Sequence, residues 1–424
     1  MKKFLAKSAA ILATASLVAV NILPAFADSA TNDTTGFHSS NTTEVENKNK
    51  VTVTNVSDAY ILNVVKTTAN TGGNSASQNT LGGMVQTGDA ATNVVLNNSA
   101  NINTTLLSLS RSGSSNTAGN SVTGAESTNE AEIENKNKID VLNDNTAVLK
   151  NIVCAESNTG GNAANQNTGL DPETGAPLGG QVQTGDAATA VYLNNRANDS
   201  FTKITGLADF GINNVGNAIT GFHSSNEAEI ENKNFVDVEN VSDASVFNKV
   251  RASATTGANS ASQNTLGGMI GTGDAQVALG HVNAAGEITY GLDTNANIVT
   301  TLIDGDLGGS QTISGNSVTG AESTNETELE NKNFIEVSNR NNKGDSEDAG
   351  DYECDGVNSI TDLKCRFHWG VVNIDEDNAN TGGNWGNQNT YPGSIASGIA
   401  MVGKYIRVCL NDTLTSIGGV LQAS

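Results

Sequence analysis

The chain has 424 residues, a formal net charge of −23 and a sequence pI near 4.4. A protein this acidic is repelled by phosphate and by anionic lipid, which argues against nucleic acid as a partner. Only 4% of the residues are aromatic and four are proline, whereas 45 are glycine and asparagine is more frequent still. This composition disfavours conventional domains with aromatic-rich cores.

Residues 1–27 have the pattern of a secretory signal peptide. A basic start with three lysines precedes an apolar run over 9–23, and the small-x-small string Ala25-Phe26-Ala27 follows. Cleavage there leaves Asp28 as the first residue. The apolar run is too short to span a bilayer, and no later run reaches about 18 apolar residues. We therefore expect an extracellular or cell-surface protein whose mature chain has no transmembrane insertion.

Four large repeat units follow. The string Glu-Asn-Lys-Asn begins at Glu46, Glu134, Glu231 and Glu330, with spacings of 88, 97 and 99 residues. A search for such periodicity comes before any other assignment of fold. We assign unit 1 to 28–119, unit 2 to 120–215, unit 3 to 216–314 and unit 4 to 315–424.

The units alternate between two types. The string at 36–41 returns at 221–226, and the string at 119–130 returns at 315–326. Units 1 and 3 therefore resemble each other, as do units 2 and 4, which indicates duplication of a two-unit block.

Within the units, apolar and polar residues alternate as in half-buried strands, for example over 133–141 and 230–239. Glycine- and asparagine-rich turns separate these segments. The pattern predicts an all-β repeat protein, with a β-solenoid (parallel β-helix-like) favoured and stacked Asn and Thr ladders inside it. With about 20 to 25 residues per coil, it would form roughly 16 to 20 coils and a rod about 80 to 95 Å long. The alternative is four tandem β-sandwich domains.

Two insertions interrupt the repeats. One lies at 171–177 in unit 2, and a larger acidic one lies at 341–371 in unit 4. Loops that leave a regular scaffold commonly carry binding functions. They are the candidate segments for contact with other molecules.

Four cysteines in an exported chain predict disulfides. Cys354 and Cys365 are the expected pair because they are close in sequence. Cys154 and Cys409 remain, for an intramolecular bond, a bond between two copies, or free thiols.

Acidic residues in the turns have two interpretations. A Thr-Gly-Asp string recurs in three units, and an Asp-Glu-Asp string occurs in unit 4. The carboxylates can cap their own turns, or they can bind Ca²⁺, which prefers oxygen ligands. The candidate calcium ligands are Asp89, Asp186, Asp274, Asp375 and Asp377.

The chain contains none of the common catalytic motifs, and its four histidines are not grouped in sequence. A polysaccharide-cleaving β-helix enzyme with paired carboxylates is one alternative, but basic residues for its cleft are scarce. We predict that the protein is not an enzyme. The lysines of the repeated Glu-Asn-Lys-Asn string are instead candidate assembly contacts between copies: Lys48, Lys136, Lys233 and Lys332.

The strings at 70–80 and 87–90 resemble those of Asn/Gly/Thr-rich repeat proteins on bacterial surfaces, and their Asn, Gln and Gly spacing is similar to curlin-type amyloid repeats. The resemblance implies a cell-surface β-solenoid and an S-layer or filament. We therefore expect a structural protein that self-assembles into an S-layer-like lattice or an extracellular filament. The alternative is an adhesin on a repeat stalk. Expected partners are other copies, cell-envelope glycan or other surface proteins.

Overall fold

The computed structural model describes residues 9–21, 28–109, 115–168, 179–207, 211–279, 281–282, 288–304, 311–341, 370–417 and 420–423. Strands are the only long regular elements in these residues. The described part of the chain contains no helix with the length and apolarity needed to cross a membrane.

The first half of the chain forms strands β1 (Ala9–Asn21), β2 (Ser29–Asp33), β3 (Ser40–Asn70), β4 (Gly83–Gln86), β5 (Ala90–Ser108), β6 (Ser115–Ser121), β7 (Thr128–Asn158), β8 (Gly180–Gln183), β9 (Ala187–Thr205) and β10 (Ile212–Ala218).

The second half forms β11 (Ser225–Thr255), β12 (Gly268–Gly271), β13 (Ala275–Leu279), β14 (His281–Val282), β15 (Ile288–Ile303), β16 (Gln311–Ser317), β17 (Thr324–Asn341), β18 (Gly370–Asn380), β19 (Ser394–Ala396), β20 (Ala400–Lys404), β21 (Ile406–Leu410), β22 (Thr413–Ile417) and β23 (Val420–Ala423).

Equivalent strands of successive units pair in parallel and in register. The longest set is β3, β7 and β11, each of 31 residues, followed by β17 and β18. Asn41, for example, lies beside Asn129, which lies beside Asn226. The predicted all-β solenoid is confirmed, and its sheets are parallel and stacked in layers.

The predicted coil size is wrong. One coil is a whole unit: hydrogen-bonded asparagines in neighbouring coils are 88, 97 or 99 residues apart, and 125 apart where the unit 4 insertion intervenes, not about 20 to 25. The described residues therefore make four coils. A 31-residue strand is about 100 Å long, whereas four coils rise only about 15 Å, so the body is a thin slab and not a rod.

Each coil is a flattened loop with two sides. In coil 2, one side is the long strand β7. The other side consists of β8, β9 and β10, which follow one another along the chain. The inward residues of the two sides meet in separate apolar clusters along the slab. Leu149 and Leu193, both fully buried, belong to two of these clusters. Small and medium side chains fill this narrow space, which accounts for the low aromatic content.

Candidate assembly interface

Rows of asparagines run through the core along the coil axis. Asn63, Asn151, Asn248 and Asn373 occupy the same place in coils 1 to 4. Each side-chain Nδ2 donates to the Oδ1 of the next coil, at 2.8 Å in all three steps. An amide carries both a donor and an acceptor, so one residue type can continue such a row through any number of coils.

All the asparagine and glutamine rows have one polarity. The amide nitrogen of each coil points to the coil that follows it, in the rows that start at Asn41, Asn47, Asn55 and Gln78. A polar row leaves unlike groups at its two ends. Coil 1 presents amide oxygens outward, and coil 4 presents amide nitrogens.

The predicted assembly lysines form a charged row on the outer face of the long sheet. Lys48, Lys136, Lys233 and Lys332 each pair with the glutamate two residues earlier. Two of these lysines also approach the preceding coil, with Lys233 Nζ 3.5 Å from Glu134 and Lys332 Nζ 3.7 Å from Glu231. Within one chain, these lysines therefore connect one coil to the next.

A second outer row contains only glutamates: Glu44, Glu132, Glu229 and Glu328. Partial burial and the neighbouring carboxylates raise the pKa values of Glu132 and Glu229. At neutral pH, repulsion between the carboxylates of this row opposes the stacking of coils.

The two-unit alternation appears in space as a histidine–glutamate row at the turn before the long strand. His38 of coil 1 lies 3.0 Å from the Glu126 carboxylate of coil 2, and His223 of coil 3 lies 2.9 Å from that of Glu322 in coil 4. Odd coils supply the imidazole and even coils supply the carboxylate.

The structure places three of the predicted calcium ligands in a turn row where they accept backbone hydrogen bonds. Asp89 Oδ1 accepts the amide of Asp186, Asp186 Oδ1 accepts that of Asp274, and Asp274 Oδ1 accepts that of Ile399, at 2.8 to 2.9 Å. These contacts support the turn-stabilising interpretation. Among the described residues, no group of three or more His, Cys, Asp or Glu side chains has the arrangement to hold a metal ion.

Asp375 and Asp377, the other two predicted ligands, lie on β18 at core-facing positions that Val250 and Ala252 occupy in the preceding coil. The Asp375 side chain is 3% exposed, and its Oδ2 lies 2.7 Å from Lys404 Nζ. Burial and the hydrogen bond with Asp375 raise the pKa of Asp377 to about 7. The last coil therefore carries an acidic pair where the inner coils are apolar.

The cysteine predictions have different outcomes. Cys154 and Cys409 are both free and half-buried, so the intramolecular bond between them does not form; β7 and β21, which carry them, belong to different sheets. Cys354 and Cys365 lie outside the described residues, as does the 171–177 insertion and nearly all of the 341–371 insertion.

The two ends of the coil stack are sheet edges. In the described part of the chain, β3 pairs only with β7, while β17 and β18 pair only with β11. One long edge thus faces outward at each end of the slab.

The sheet on the other side of the slab, which contains β5, β9, β15 and β22, is partly covered at both of its edges. Strand β1, which lies in the predicted signal peptide, pairs along β5 of coil 1, from Ala9–Leu96 to Asn21–Ser108. At coil 4, β23 folds back on β22 in antiparallel orientation, over Val420–Ala423. The two covering strands lie over equivalent parts of the layer.

The predicted ladders of stacked asparagines are present inside the solenoid, but the sequence prediction did not say which asparagines form them. The signal was there: Asn143 and Asn240 are equivalent positions of units 2 and 3, as are Asn151 and Asn248, and all face inward on otherwise alternating strands. A polar residue that recurs at this spacing indicates a row with one member per coil, and therefore a coil as long as the unit.

Comparisons with protein-family models, with curated proteins and with solved structures give no match to the chain, so only its own geometry bears on its function.

Proposed function

We propose that the protein is an exported structural protein that assembles with copies of itself on the cell surface, as an S-layer-like lattice or a filament. The observation that supports this most strongly is the pair of long uncovered edges, β3 at one end and β17 with β18 at the other. The regular repetition of the same strands in four coils agrees with a structural role.

An uncovered edge of this length exposes a row of backbone N–H and C=O groups that are ready to pair with another chain. Soluble proteins usually shorten, bend or cover such edges. Here the edge extends over all 31 residues of β3 without a covering strand among the described residues. Pairing with a second copy satisfies these groups in the way that the inner coils satisfy each other.

Calcium enters this proposal as a counter-ion. The row of Glu44, Glu132, Glu229 and Glu328 places carboxylates at the spacing of neighbouring strands, and divalent cations reduce the repulsion in such a row. We expect Ca²⁺ to promote assembly without being required for the fold.

The test is direct. The chain from Asp28 to Ser424 is purified as a monomer in dilute buffer, then concentrated at neutral pH in EDTA or in Ca²⁺, and followed by sedimentation velocity and negative-stain electron microscopy. Ordered particles of uniform width are expected. Monomers under both conditions, or shapeless aggregates alone, would refute the proposal, and surface labelling of intact cells with an antibody tests the location.

A further inference from the structure

We infer that copies stack head to tail along the coil axis, with coil 4 of one copy followed by coil 1 of the next in the same register as the coils within one chain. This rests on the proposed self-assembly and specifies its interface. The product is an open filament, because each added copy continues the stack along the coil axis and this head-to-tail contact therefore does not close into a ring.

The polarity of the amide rows gives the first reason. Asn41 Nδ2 donates to Asn129, Asn129 to Asn226 and Asn226 to Asn325, at 2.7 to 2.9 Å. The next acceptor in this series is Asn41 of a second copy. Two coil 1 edges face to face would oppose oxygen to oxygen; the head-to-tail order matches donor to acceptor in every row.

The alternation of unit types gives the second reason. When coil 1 of a second copy follows coil 4, His38 takes the place after Glu322 that His223 has after Glu126, so the alternation of histidine and glutamate positions continues. The charged row would continue in the same order, because Lys233 and Lys332 each reach the glutamate of the preceding coil and Lys48 would then lie beside Glu330.

Aromatic and basic residues at the two ends also match. Phe235 and Phe334 stack with ring centroids 5.2 Å apart, and Phe334 is 56% exposed at the end of this row. Lys50 occupies the same position in coil 1. The proposed stack would therefore place Lys50 beside the exposed Phe334 ring. A lysine beside a phenylalanine of the neighbouring coil occurs inside the chain in the opposite coil order, where Lys150 lies 5.8 Å from the Phe247 ring, and such contacts are favourable.

The glycines give a geometric reason that can be tested. A Cβ on Gly72, Gly160 or Gly257 would lie 1.9 Å from the carbonyl oxygen of the equivalent glycine in the next coil. The last member of this row, Gly382, has its nearest neighbour, Asn380 Oδ1, at an ordinary 3.5 Å. A methyl group at Gly382 therefore fits the single chain but collides with a coil placed on it.

Gly88 behaves in the same way at the other end. A Cβ on Gly185 or Gly273 would collide with the backbone of the preceding coil, whereas one on Gly88 would meet nothing within 4 Å. Each end thus offers a substitution that separates folding from stacking.

The predicted signal peptide has a place in this arrangement. In the uncut chain, β1 occupies the free edge of β5. Coil 4 of another copy, whose strands in this sheet include β22, therefore cannot pair with that edge. Cleavage after Ala27 removes this strand, which ties assembly to export. At the other end, β23 covers β22 and must be displaced for the layer to continue.

The deciding experiment compares Gly382→Ala, Gly88→Ala and Gly403→Ala in the Asp28–Ser424 chain. Gly403 is the control, because the same position carries Ala278, Ala190 and Asn93 in the other coils and so accepts a Cβ within the stack. We expect all three monomers to unfold at the wild-type denaturant midpoint, Gly403→Ala to assemble as wild type, and the other two to raise the critical concentration for assembly at least about tenfold.

The register is tested by cross-linking. Thr42 and Glu326 occupy the same position in coils 1 and 4, so cysteines there would lie on adjacent strands of two copies, within the Cα separation of a disulfide. In a chain with its four native cysteines replaced by serine, Thr42→Cys with Glu326→Cys should yield disulfide-linked oligomers after assembly and oxidation. The pair Thr42→Cys with Glu336→Cys is the control, since its partners would be about 33 Å out of register.

The outcomes separate the two proposals. Assembly that tolerates both end-glycine substitutions and gives no 42–326 cross-link overturns the head-to-tail stack but keeps self-assembly. A wild-type chain that never assembles overturns both.

Discussion

Asn63 Nδ2 donates to Asn151 Oδ1 at 2.8 Å, although the two residues are 88 positions apart in the chain. This bond is one step of a row that passes through all four coils. Such rows provide hydrogen-bond partners for polar side chains inside a narrow core. Because every amide nitrogen points toward the following coil, the two ends of the slab differ, and the proposed assembly depends on this difference.

Replacing a central member of this row should be costly. Asn151 is fully buried; its Oδ1 accepts from Asn63 and Asn98, and its Nδ2 donates to Asn195 and Asn248. Asn151→Ala removes one hydrogen bond from each of four buried amides, so we expect the free energy of unfolding to fall by about 2–4 kcal/mol. Urea unfolding of dilute monomer measures this.

Asn194→Ala is the matched control, on the outward face of β9. We expect it to change stability by no more than about 0.5 kcal/mol. Equal effects of the two substitutions would show that the buried row does not stabilise the fold.

The glycine row should respond differently at its centre and at its end. In Gly160→Ala, the new methyl group would lie 1.9 Å from the carbonyl oxygen of Gly257, so the coils must separate locally. We expect a loss of about 1–3 kcal/mol or more in unfolding free energy, whereas Gly382→Ala should leave it unchanged. A Gly160→Ala chain as stable as wild type contradicts the close approach of these coils.

One position in unit 3 should be open to stabilisation. Ala258 has a φ of 58°, where units 1, 2 and 4 have Gly73, Gly161 and Gly383 at 71° to 79°. The left-handed conformation costs an L-residue about 1–2 kcal/mol relative to glycine, so Ala258→Gly should stabilise the chain by about 1 kcal/mol.

Thermal unfolding compares this variant with Ala261→Gly, a fully buried alanine nearby without a positive φ. That substitution should destabilise, because it adds backbone freedom to the unfolded chain and removes a packed methyl group. A loss of stability in Ala258→Gly would contradict the conformational explanation.

The acidic pair in the last coil predicts a pH dependence. Burial, together with the hydrogen bond and charge of Asp375, raises the pKa of Asp377 from 3.8 to about 7, and Lys404 opposes the shift. A raised pKa means that the folded chain holds a proton that the unfolded chain has lost between about pH 4 and 7. Stability should therefore increase as pH falls from 8 to 5.

Asp377→Asn removes this titration. We expect the variant to be about 1 kcal/mol more stable than wild type at pH 8, a modest value because the group is only partly buried and solvent screens its charge. At pH 5 the difference should shrink. Glu376→Gln, on the exposed face of the same strand, is the control, and an unchanged pH profile in Asp377→Asn would contradict the assignment.

Much of the fold could be predicted from the residues alone. The alternation at 133–141 and 230–239 predicted strands correctly, and the four Glu-Asn-Lys-Asn strings correctly predicted a repetitive all-β solenoid. The predicted coil length of about 20 to 25 residues was wrong, because a period of two residues shows that a segment is a strand without showing which strand lies beside it.

For the candidate interface, too, the sequence identified residues but did not show where they lie relative to each other. Lys48 and Lys332 were identified as contacts between copies, but only the structure places them at opposite ends of one row. The bonds of Asp89 and Asp186 to backbone amides were likewise invisible in sequence, since their partners are a full coil away.

Repetition, richness in strands and the alternation of two unit types can all be read from the residues in order, because side-chain periodicity and repeated strings are local properties. The closure of one coil by one whole unit is visible only in three dimensions. It depends on distant copies of the same segment lying directly beside each other, where identical asparagines can pair their amides. That pairing makes the body a thin slab with two unlike open ends in place of a long rod.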